Sequence, residues 1–568
     1  MTVTAAFATF TRSRLLPGSL AVAALLLAGC KPEARPETTA ARENYAYPES
    51  DYREQGKGVP GGVLRLSAAT DTGTLDFHSI SSTNCQWLGR ILYDNLVYRD
   101  AKGNITPWLA KSWEISPDGK TYTFRLREDV TFSDGARFDA DAVLANLEHM
   151  RDPATKSPLA AAYIAPYVNG EALDPFTVRL HLRDAYSPFL DVLAQSWLSI
   201  ESPKAIRENP KGLGASPVGS GPFVVESYSR QQGIRFTRRK DYHWAPESLG
   251  HEGPAYLERI ELDFVPEALI RYQALASGQH DFTIDAPPQN AAAIRASDNL
   301  VLDARIRQGA PSRAITFNLS KPPADDLAVR RAVALAIDRE GLVPLVGFGE
   351  YRPKSDFLAA NTRFYDPAFR DALAYDPVAS NKLLDGAGWT GRDSAGFRTK
   401  NGVRLAAELL TTEALSPGPL AVAIQSDLKK IGFELKIVQL PTLQVTERRN
   451  AGDYQMLSGG VWHTNTPDAL YILFHSDEIT SAKRIGQNAS RLRDPELDDL
   501  LARARRSRDD AERARLYSAA QKRLVELVPA VTIHENYTLT AHAKNVRGVV
   551  YDTSHNTPVF TTVWIEKP

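Results

Sequence analysis

The chain has 568 residues, of which 43% are hydrophobic and 24% are charged, a composition typical of soluble globular proteins. The 67 Lys and Arg residues nearly balance the 68 Asp and Glu residues. This balance argues against nucleic acid as a partner, because neutralising phosphates takes an excess of basic residues. A chain of this length can bury a large core, so it needs neither disulfides nor a metal ion for stability.

The first thirty residues are typical of an export signal. Arg12 and Arg14 precede an apolar run at residues 15–28, which is too short to span a bilayer. The run ends in Leu27-Ala28-Gly29-Cys30, which resembles the bacterial lipobox, where a cysteine receives lipid and the chain is cleaved before it. We therefore expect residues 1–29 to be a lipoprotein signal peptide and Cys30 to anchor the protein to a membrane. The alternative is a cytosolic start that happens to be apolar.

The other cysteine and the segment after Cys30 need separate explanations. If Cys30 carries lipid, Cys85 is the remaining thiol and no intrachain disulfide can form. Cys85 is then either a catalytic nucleophile or a buried small residue, and the second interpretation is favoured. Residues 30–60 are rich in Pro, Glu, Thr, Arg and Gly, which predicts a solvated tether.

After the tether, strand-like and helix-like segments alternate, as in mixed α/β proteins. Apolar residues and period-two alternation predict strands at residues 63–66, 121–126, 177–182 and 433–438. Apolar residues at helical spacing predict helices at residues 139–150, 327–337 and 420–431, the first capped by Asp139. Mixed charges over residues 497–527 indicate a solvated helix face with ion pairs rather than a nucleic-acid patch.

A search for catalytic motifs finds none. His534-Glu535 lacks the second histidine of a zinc protease, and Gly219-Ser220-Gly221 lacks the spacing of a nucleophile elbow. No Walker A sequence is present, and the 11 His residues show no zinc-binding spacing. We therefore expect no enzymatic activity, no cofactor and no protein-bound metal. A large, exported chain with many aromatic residues and no catalytic motif is typical of a binding protein.

A specific family resemblance rests on the region around residues 107–143. It begins with Pro107-Trp108-Leu109-Ala110-Lys111-Ser112-Trp113, continues with Ser116-Pro117-Asp118-Gly119-Lys120, and ends with Phe138-Asp139-Ala140-Asp141-Ala142-Val143. Later matches include Gly219-Ser220-Gly221-Pro222-Phe223 and Leu384-Asp385-Gly386-Ala387-Gly388-Trp389. From about residue 60 to the C-terminus, the sequence resembles the extracytoplasmic solute-binding proteins of ABC transporters, family 5, the dipeptide, oligopeptide and nickel-binding group.

The resemblance implies an α/β, two-lobed periplasmic-binding-protein fold with hinged lobes and an additional domain inserted in the first lobe. The expected first lobe comprises residues 61–95, 216–308 and 529–568, with the inserted domain at 96–215 and the second lobe at 309–528. The implied function is that of a receptor on the periplasmic side, tethered to a membrane. A monomer would capture a peptide or peptide-like small molecule between its lobes and deliver it to ABC permease subunits with cytoplasmic ATPases.

In this family, two segments face the ligand, and the first corresponds here to residues 83–87. Asn84 and Gln86 offer amide groups to ligand oxygens. Trp87 either stacks on the ligand or starts the next helix and packs inside.

The second segment is residues 458–468. Gly460 lets backbone approach a ligand, Trp462 offers an apolar wall, and His463 and Asn465 offer directed polar groups. Asp468 is the nearby carboxylate and belongs either to the site or to a helix start.

The identity of the ligand stays open at this stage. Peptide-binding relatives carry an aspartate a few residues after the tryptophan, and here no acid precedes Pro467. A buried ammonium without a carboxylate partner is costly, so this departure weakens the assignment to a plain peptide. The alternative within the class is a metal chelate, metallophore or opine-like ligand. The alternative of another class is a lipoprotein enzyme or chaperone-like factor on this fold.

Overall fold

The computed structural model describes residues 58–100, 102–412, 418–458, 465–482 and 485–567. The predicted signal peptide, Cys30 and nearly all of the predicted tether lie outside these residues. Within the described part, no helix combines the length and apolar character needed to cross a membrane.

A seven-stranded sheet forms the centre of one lobe. Its strands are β1 (Val63–Ala68), β8 (Phe223–Ser229), β9 (Gly233–Arg238), β10 (Arg259–Phe264), β11 (Phe282–Thr283), β12 (Leu300–Ile306) and β21 (Tyr537–Ala543). The spatial order is β12-β21-β11-β1-β10-β9-β8, and β1 pairs in parallel with both β10 and β11. The strand predicted at residues 63–66 is confirmed as part of β1, at the middle of this sheet.

A five-stranded sheet forms the centre of the other lobe. Its strands are β13 (Ser312–Phe317), β17 (Ala406–Thr412), β18 (Glu434–Leu440), β19 (Met456–Ser458) and β20 (Ala530–His534), in the order β18-β17-β19-β13-β20. The predicted helix at 420–431 and strand at 433–438 are confirmed as α11 (Gly418–Lys430) and β18. Strands β17 and β18 are parallel and α11 connects them, as parallel pairing requires a crossover.

The chain passes between the two sheets twice, through short connectors. It leaves the seven-stranded sheet after β12, at Ile306, and enters the five-stranded sheet at Ser312. It returns from His534, at the end of β20, to Tyr537, at the start of β21. Strand β20 lies beyond residue 528, where we expected the second lobe to end, and still pairs with β13. Two short crossing segments of this kind can act as hinges between lobes.

A separate four-stranded antiparallel sheet lies within the predicted insertion. It has the order β4-β5-β7-β6 and comprises β4 (Ala110–Ile115), β5 (Thr121–Leu126), β6 (Tyr167–Asp174) and β7 (Thr177–Leu182). The strands predicted at 121–126 and 177–182 are confirmed. The predicted helix at 139–150 is confirmed as α2 (Ala140–Arg151), and the Asp139 carboxylate caps it by accepting the Ala142 amide at 3.0 Å.

The remaining elements connect and cover these sheets. The other helices are α1 (Cys85–Leu92), α3 (Ala160–Tyr163), α4 (Phe189–Leu193), α5 (Pro203–Glu208), α6 (Ala268–Ala276), α7 (Ala291–Arg295), α8 (Leu327–Ala336), α9 (Arg339–Gly347), α10 (Pro377–Gly386), α12 (Thr442–Ala451), α13 (Ala469–Phe474), α14 (Pro495–Arg506) and α15 (Asp510–Leu527). Short strands pair as β2 (Val97–Arg99) with β3 (Ile105–Pro107), β15 (Arg398–Lys400) with β14 (Gly391–Arg392) and β16 (Val403–Arg404), β22 (Val546–Arg547) with β25 (Trp564–Ile565), and β23 (Val550–Asp552) with β24 (Thr557–Val559).

The highly charged segment at 497–527 forms two helices, α14 and α15. Ion pairs are present within it, for example between Arg503 and Asp499 at 3.3 Å. Ser507 takes an extended conformation after α14, and the Asp509 carboxylate then caps α15 by accepting the Glu512 amide at 2.8 Å. The cap starts a new helix because it satisfies an amide that has no partner within the helix.

Cys85 is fully buried at the start of α1 and forms no disulfide. Burial raises the pKa of its thiol well above the usual value, which disfavours the thiolate that a nucleophile needs. The interpretation of Cys85 as a buried small residue is confirmed.

Candidate functional site

The two lobes touch directly in the region of the predicted second ligand segment. The Gln195 amide donates to Oδ1 of Asn465 at 3.3 Å, and the Tyr186 hydroxyl donates to Oδ2 of Asp468 at 3.1 Å. Gln195 and Tyr186 belong to the predicted insertion, whereas Asn465 and Asp468 precede α13 in the other lobe. Contacts of this kind are expected when the lobes are closed.

At this contact, the side-chain amides of Asn465 and Gln195 each keep one polar atom that is not hydrogen-bonded to the other. Asn465 is 1% exposed and Gln195 is fully buried. Among the described residues, neither Nδ2 of Asn465 nor Oε1 of Gln195 has a hydrogen-bond partner. Leaving a buried donor or acceptor unpaired costs about 1–3 kcal/mol. A ligand that supplies one acceptor and one donor would remove this cost, so the pair is suited to hold a bound molecule.

The hydrogen bonds of Asn84 and Trp87 are used inside the protein. The Asn84 amide donates to the Thr70 carbonyl at 2.5 Å, and its Oδ1 accepts the indole N–H of Trp87 at 3.3 Å. Trp87 is 1% exposed and packs edge-on against Phe560, with ring centroids 6.4 Å apart. Of the two alternatives for Trp87, this placement favours packing in the core at the start of α1.

Gln86 lies beside the segment that carries Gln195. Its backbone carbonyl accepts the Ser196 hydroxyl at 3.0 Å. Its side-chain Oε1 is buried and has no hydrogen-bond partner within the described part of the chain. The structure therefore places the backbone of Gln86 beside Ser196, the residue that follows Gln195.

Asp468 is held by a structural ion pair. Both of its oxygens accept from the Arg505 guanidinium, at 2.8 and 2.7 Å, and the residue is 1% exposed. It occupies the N-cap position of α13, without a side-chain capping bond. Its negative charge is therefore already compensated. The other predicted residues of this segment, Gly460, Trp462 and His463, lie outside the described residues, and their role in ligand binding stays a prediction.

The turn between β23 and β24 adds polar atoms that the sequence did not indicate. The buried atoms without a hydrogen-bond partner in the described structure are Ser554 Oγ, Asn556 Oδ1 and Thr557 Oγ1. The Asn556 amide donates to the carbonyl of Ile306, the last residue of β12 before the first connector. The neighbouring His555 ring packs edge-on against Trp197 at 5.2 Å. In the sequence, this turn is marked by four consecutive polar residues, Thr553-Ser554-His555-Asn556, which match no known motif considered above.

A cavity of about 600 Å³ lies between the predicted insertion and the other lobe. Its volume is within the size range of small-molecule sites. Its lining residues are Arg99, Lys102, Gly103, Asn104, Ile105 and Asp191 on one side, and Ala360, Asn361, Thr362, Arg363, Thr466, Pro467 and Arg513 on the other. Thr466, which lines the cavity, directly follows Asn465 in the sequence.

The charged residues of the cavity lining are mostly basic. The lining contains four basic residues and one acidic residue, Asp191, which pairs with Arg99 at 2.8 Å. Arg363 and Arg513 share a single carboxylate, Asp510. Such a lining attracts a negatively charged ligand.

Residues 104–481 match the family described as bacterial extracellular solute-binding proteins, family 5 Middle. A similar curated protein, the glutathione-binding protein GsiB of Escherichia coli O1:K1, is 28% identical over 492 residues, covering 85% of this chain and 91% of that one.

Solved structures agree with this match. The periplasmic binding protein DppA of Helicobacter pylori, in complex with the peptide STSA, has a TM-score of 0.75 at 28% identity, covering 90% of this chain and 99% of that one. NikA of Brucella suis, in complex with Fe(III)-EDTA, has a TM-score of 0.77 at 25% identity, covering 89% and 100%.

These comparisons confirm the predicted α/β, two-lobed periplasmic-binding-protein fold. The family consists of extracytoplasmic receptors for solutes rather than of enzymes. The chain belongs to the family 5 bacterial extracellular solute-binding proteins.

Proposed function

We propose that the protein is the substrate receptor of an ABC importer and that it captures an anionic, peptide-like small molecule between its lobes. The observation that carries this proposal is the contact between Gln195 of the predicted insertion and Asn465 of the other lobe, in which each buried amide keeps one atom without a hydrogen-bond partner among the described residues. Thr466, next to Asn465 in the sequence, lines the cavity between the lobes. Relatives that bind glutathione and a short peptide support the ligand class.

The chemistry of the cleft favours a peptide-like anion. A free amide N–H and a free amide oxygen complement the C=O and N–H groups of a peptide bond. The basic lining favours carboxylates, and Asp468 is neutralised by Arg505, so it is a poor partner for a ligand ammonium. A small peptide with more than one carboxylate, such as glutathione, fits these features better than a neutral dipeptide does.

Closure of the lobes would link binding to transport. A ligand that contacts both lobes only when they are closed shifts the equilibrium towards the closed form. The closed, loaded monomer would then dock on permease subunits powered by cytoplasmic ATPases. In this role the protein performs no chemistry on its ligand.

Calorimetric titration of the purified protein tests the ligand class. We expect glutathione to bind at least about tenfold more tightly than a dipeptide with apolar side chains, because the cavity favours carboxylates. An opine and a nickel chelate are titrated in parallel. Preference for either of these would favour the alternative ligand classes, and absence of binding to all four compounds would contradict the proposal.

The Asn465→Ala variant tests the site itself. Loss of a buried hydrogen bond to the ligand is expected to raise the dissociation constant about 10- to 100-fold. The control is Asn299→Ala, at an exposed position, which should bind as the wild type does. Equal affinities in the two variants would place the ligand elsewhere.

We also propose that Cys30 carries the lipid that tethers the receptor to a membrane. The Leu27-Ala28-Gly29-Cys30 sequence supports this proposal. In membrane fractionation, the wild type should sediment with membranes and Cys30→Ser should appear in the soluble extracytoplasmic fraction. Equal membrane association of the two proteins would refute the anchor.

A further inference from the structure

Four metal-ligating side chains meet where the predicted insertion joins the seven-stranded sheet. Asp76 and His78 follow β1, His149 lies on α2, and Glu201 lies just before α5. One potential ligand atom from each residue lies within 4.8 Å of the other three. Asp76, His78 and Glu201 are buried, and the side chain of His149 is 9% exposed.

Each histidine is oriented by a partner outside the cluster. Nε2 of His78 lies 2.8 Å from the Ser199 carbonyl, which can only accept, so this nitrogen carries the proton. Nδ1 of His78 then has a free lone pair and has no hydrogen-bond partner among the described residues. Nδ1 of His149 lies 3.1 Å from the Thr155 hydroxyl, while its Nε2 lies 3.5 Å from Oδ2 of Asp76. Outer contacts of this kind are typical of metal-binding histidines.

Glu201 is held in place but its carboxylate is not satisfied. The Asn146 side chain bonds both the backbone N–H and the backbone carbonyl of Glu201, each at 2.8 Å. The residue is 1% exposed, and neither carboxylate oxygen has a hydrogen-bond partner of good geometry in the described part of the chain. The Tyr93 hydroxyl and the Phe77 backbone amide are donors close to this carboxyl, but the Tyr93 hydroxyl donates to the Leu75 carbonyl at 2.9 Å.

The four side chains are two carboxyl and two imidazole groups, and Asp76, His78 and Glu201 are buried. Buried carboxylates are found paired with a cation or coordinated to a metal ion. One divalent cation among the four side chains would supply that partner.

We propose that Asp76, His78, His149 and Glu201 bind one zinc ion. Two imidazole nitrogens and two carboxylate oxygens form a tetrahedral set that suits zinc, whereas calcium and magnesium prefer oxygen ligands alone. The ligands of tetrahedral zinc lie about 3.3 Å apart, so the side chains need to move inward by roughly 1 Å. This site departs from our expectation that the protein binds no metal.

The ion would have a structural role next to the ligand site. It would join the segment after β1, helix α2 and the segment at residues 199–201. His78 already contacts Ser199, and Gln195 lies on the same stretch of chain. Zinc would therefore stabilise the segment at residues 195–201, from which Gln195 reaches Asn465, without contacting the transported molecule.

Metal analysis of the full-length protein, purified without chelators, tests the proposal. We expect about one zinc per chain by mass spectrometry, and removal with EDTA should lower the melting temperature. Restoring zinc should raise it by roughly 3 °C or more, because an ion that binds the folded state stabilises it. Calcium and magnesium at the same concentration should leave it unchanged.

Two variants and a matched control locate the site. Glu201→Gln and His149→Gln should each lose the bound zinc and the temperature shift. His181→Gln is the control, because His181 also lies beside a carboxylate, Glu171, but is 38% exposed. If Glu201→Gln fails to fold, His149→Gln carries the comparison. Zinc-free wild-type protein that is insensitive to added zinc would overturn the proposal, as would wild-type zinc content in a folded variant.

Discussion

Replacing Asp552 by Ala is expected to lower the free energy of unfolding by about 3–5 kcal/mol, because it leaves a buried guanidinium without its counter-ion. The side chains of Arg90 and Asp552 are 1% and 0% exposed, and they form an ion pair. Arg90 also donates to Asn95 at 2.5 Å and to the Ala194 carbonyl at 2.6 Å. The pair thus connects α1, the insertion and the turn after β23.

Urea denaturation measures this effect, and an exposed ion pair provides the control. Lys111 and Glu128 lie 2.9 Å apart with side chains 52% and 60% exposed, so Glu128→Ala should cost less than about 1 kcal/mol. A similarly small loss of unfolding free energy in both variants would show that the Arg90 guanidinium becomes hydrated or forms another ion pair when Asp552 is removed. The turn that follows Asp552 carries the unpaired Ser554 and Asn556 atoms, so weaker ligand binding should accompany the loss of stability.

Replacing Lys354 by Met is expected to cost about 3 kcal/mol or more at neutral pH. Nζ of Lys354 lies 2.6 Å from Asp356 and 3.3 Å from Glu535, and all three side chains are less than 5% exposed. Glu535 follows β20, in the second connector between the lobes. Without Lys354, two neighbouring carboxylates would stay buried with no cation between them.

The pH dependence of the Lys354→Met defect has a definite sign. Burial already raises the pKa of the Asp356 and Glu535 carboxyls, and Lys354 opposes this rise. In the variant both pKa values rise further. A carboxyl whose pKa is higher in the folded state contributes stability at low pH and loses it as the pH increases through the folded-state pKa. The deficit should therefore be smaller at pH 5 than at pH 7.

Urea denaturation at the two pH values checks this expectation. Lys436→Met is the control, because Lys436 is 57% exposed and lies 3.8 Å from Glu434. Adding Glu535→Gln to the Lys354 variant should recover part of the stability. A deficit that is independent of pH would contradict the electrostatic explanation.

Local sequence patterns were sufficient to predict helices and strands whose formation depends on residues close together in the chain. The alternation at 121–126 identifies β5, and Asp139 before an amphipathic run identifies the start of α2. The same reasoning overlooked the break between α14 and α15, because charged residues continue across it and conceal the cap at Asp509. Asn84 and Trp87 illustrate a different limit, since their polar groups turn out to pair with each other.

By itself, the sequence determined the family, the alternation of strands and helices, and the class of function, because these depend on motifs and on periodicity along the chain. The tertiary structure alone decided which side chains meet. Gln195 reaches Asn465 across 270 positions, Arg90 reaches Asp552 across 462, and His78 reaches Ser199 across 121. Neither the unpaired amide atoms of Asn465 and Gln195 nor the cluster of four potential metal ligands has a signature in sequence spacing, because each forms only when the lobes and the insertion pack together.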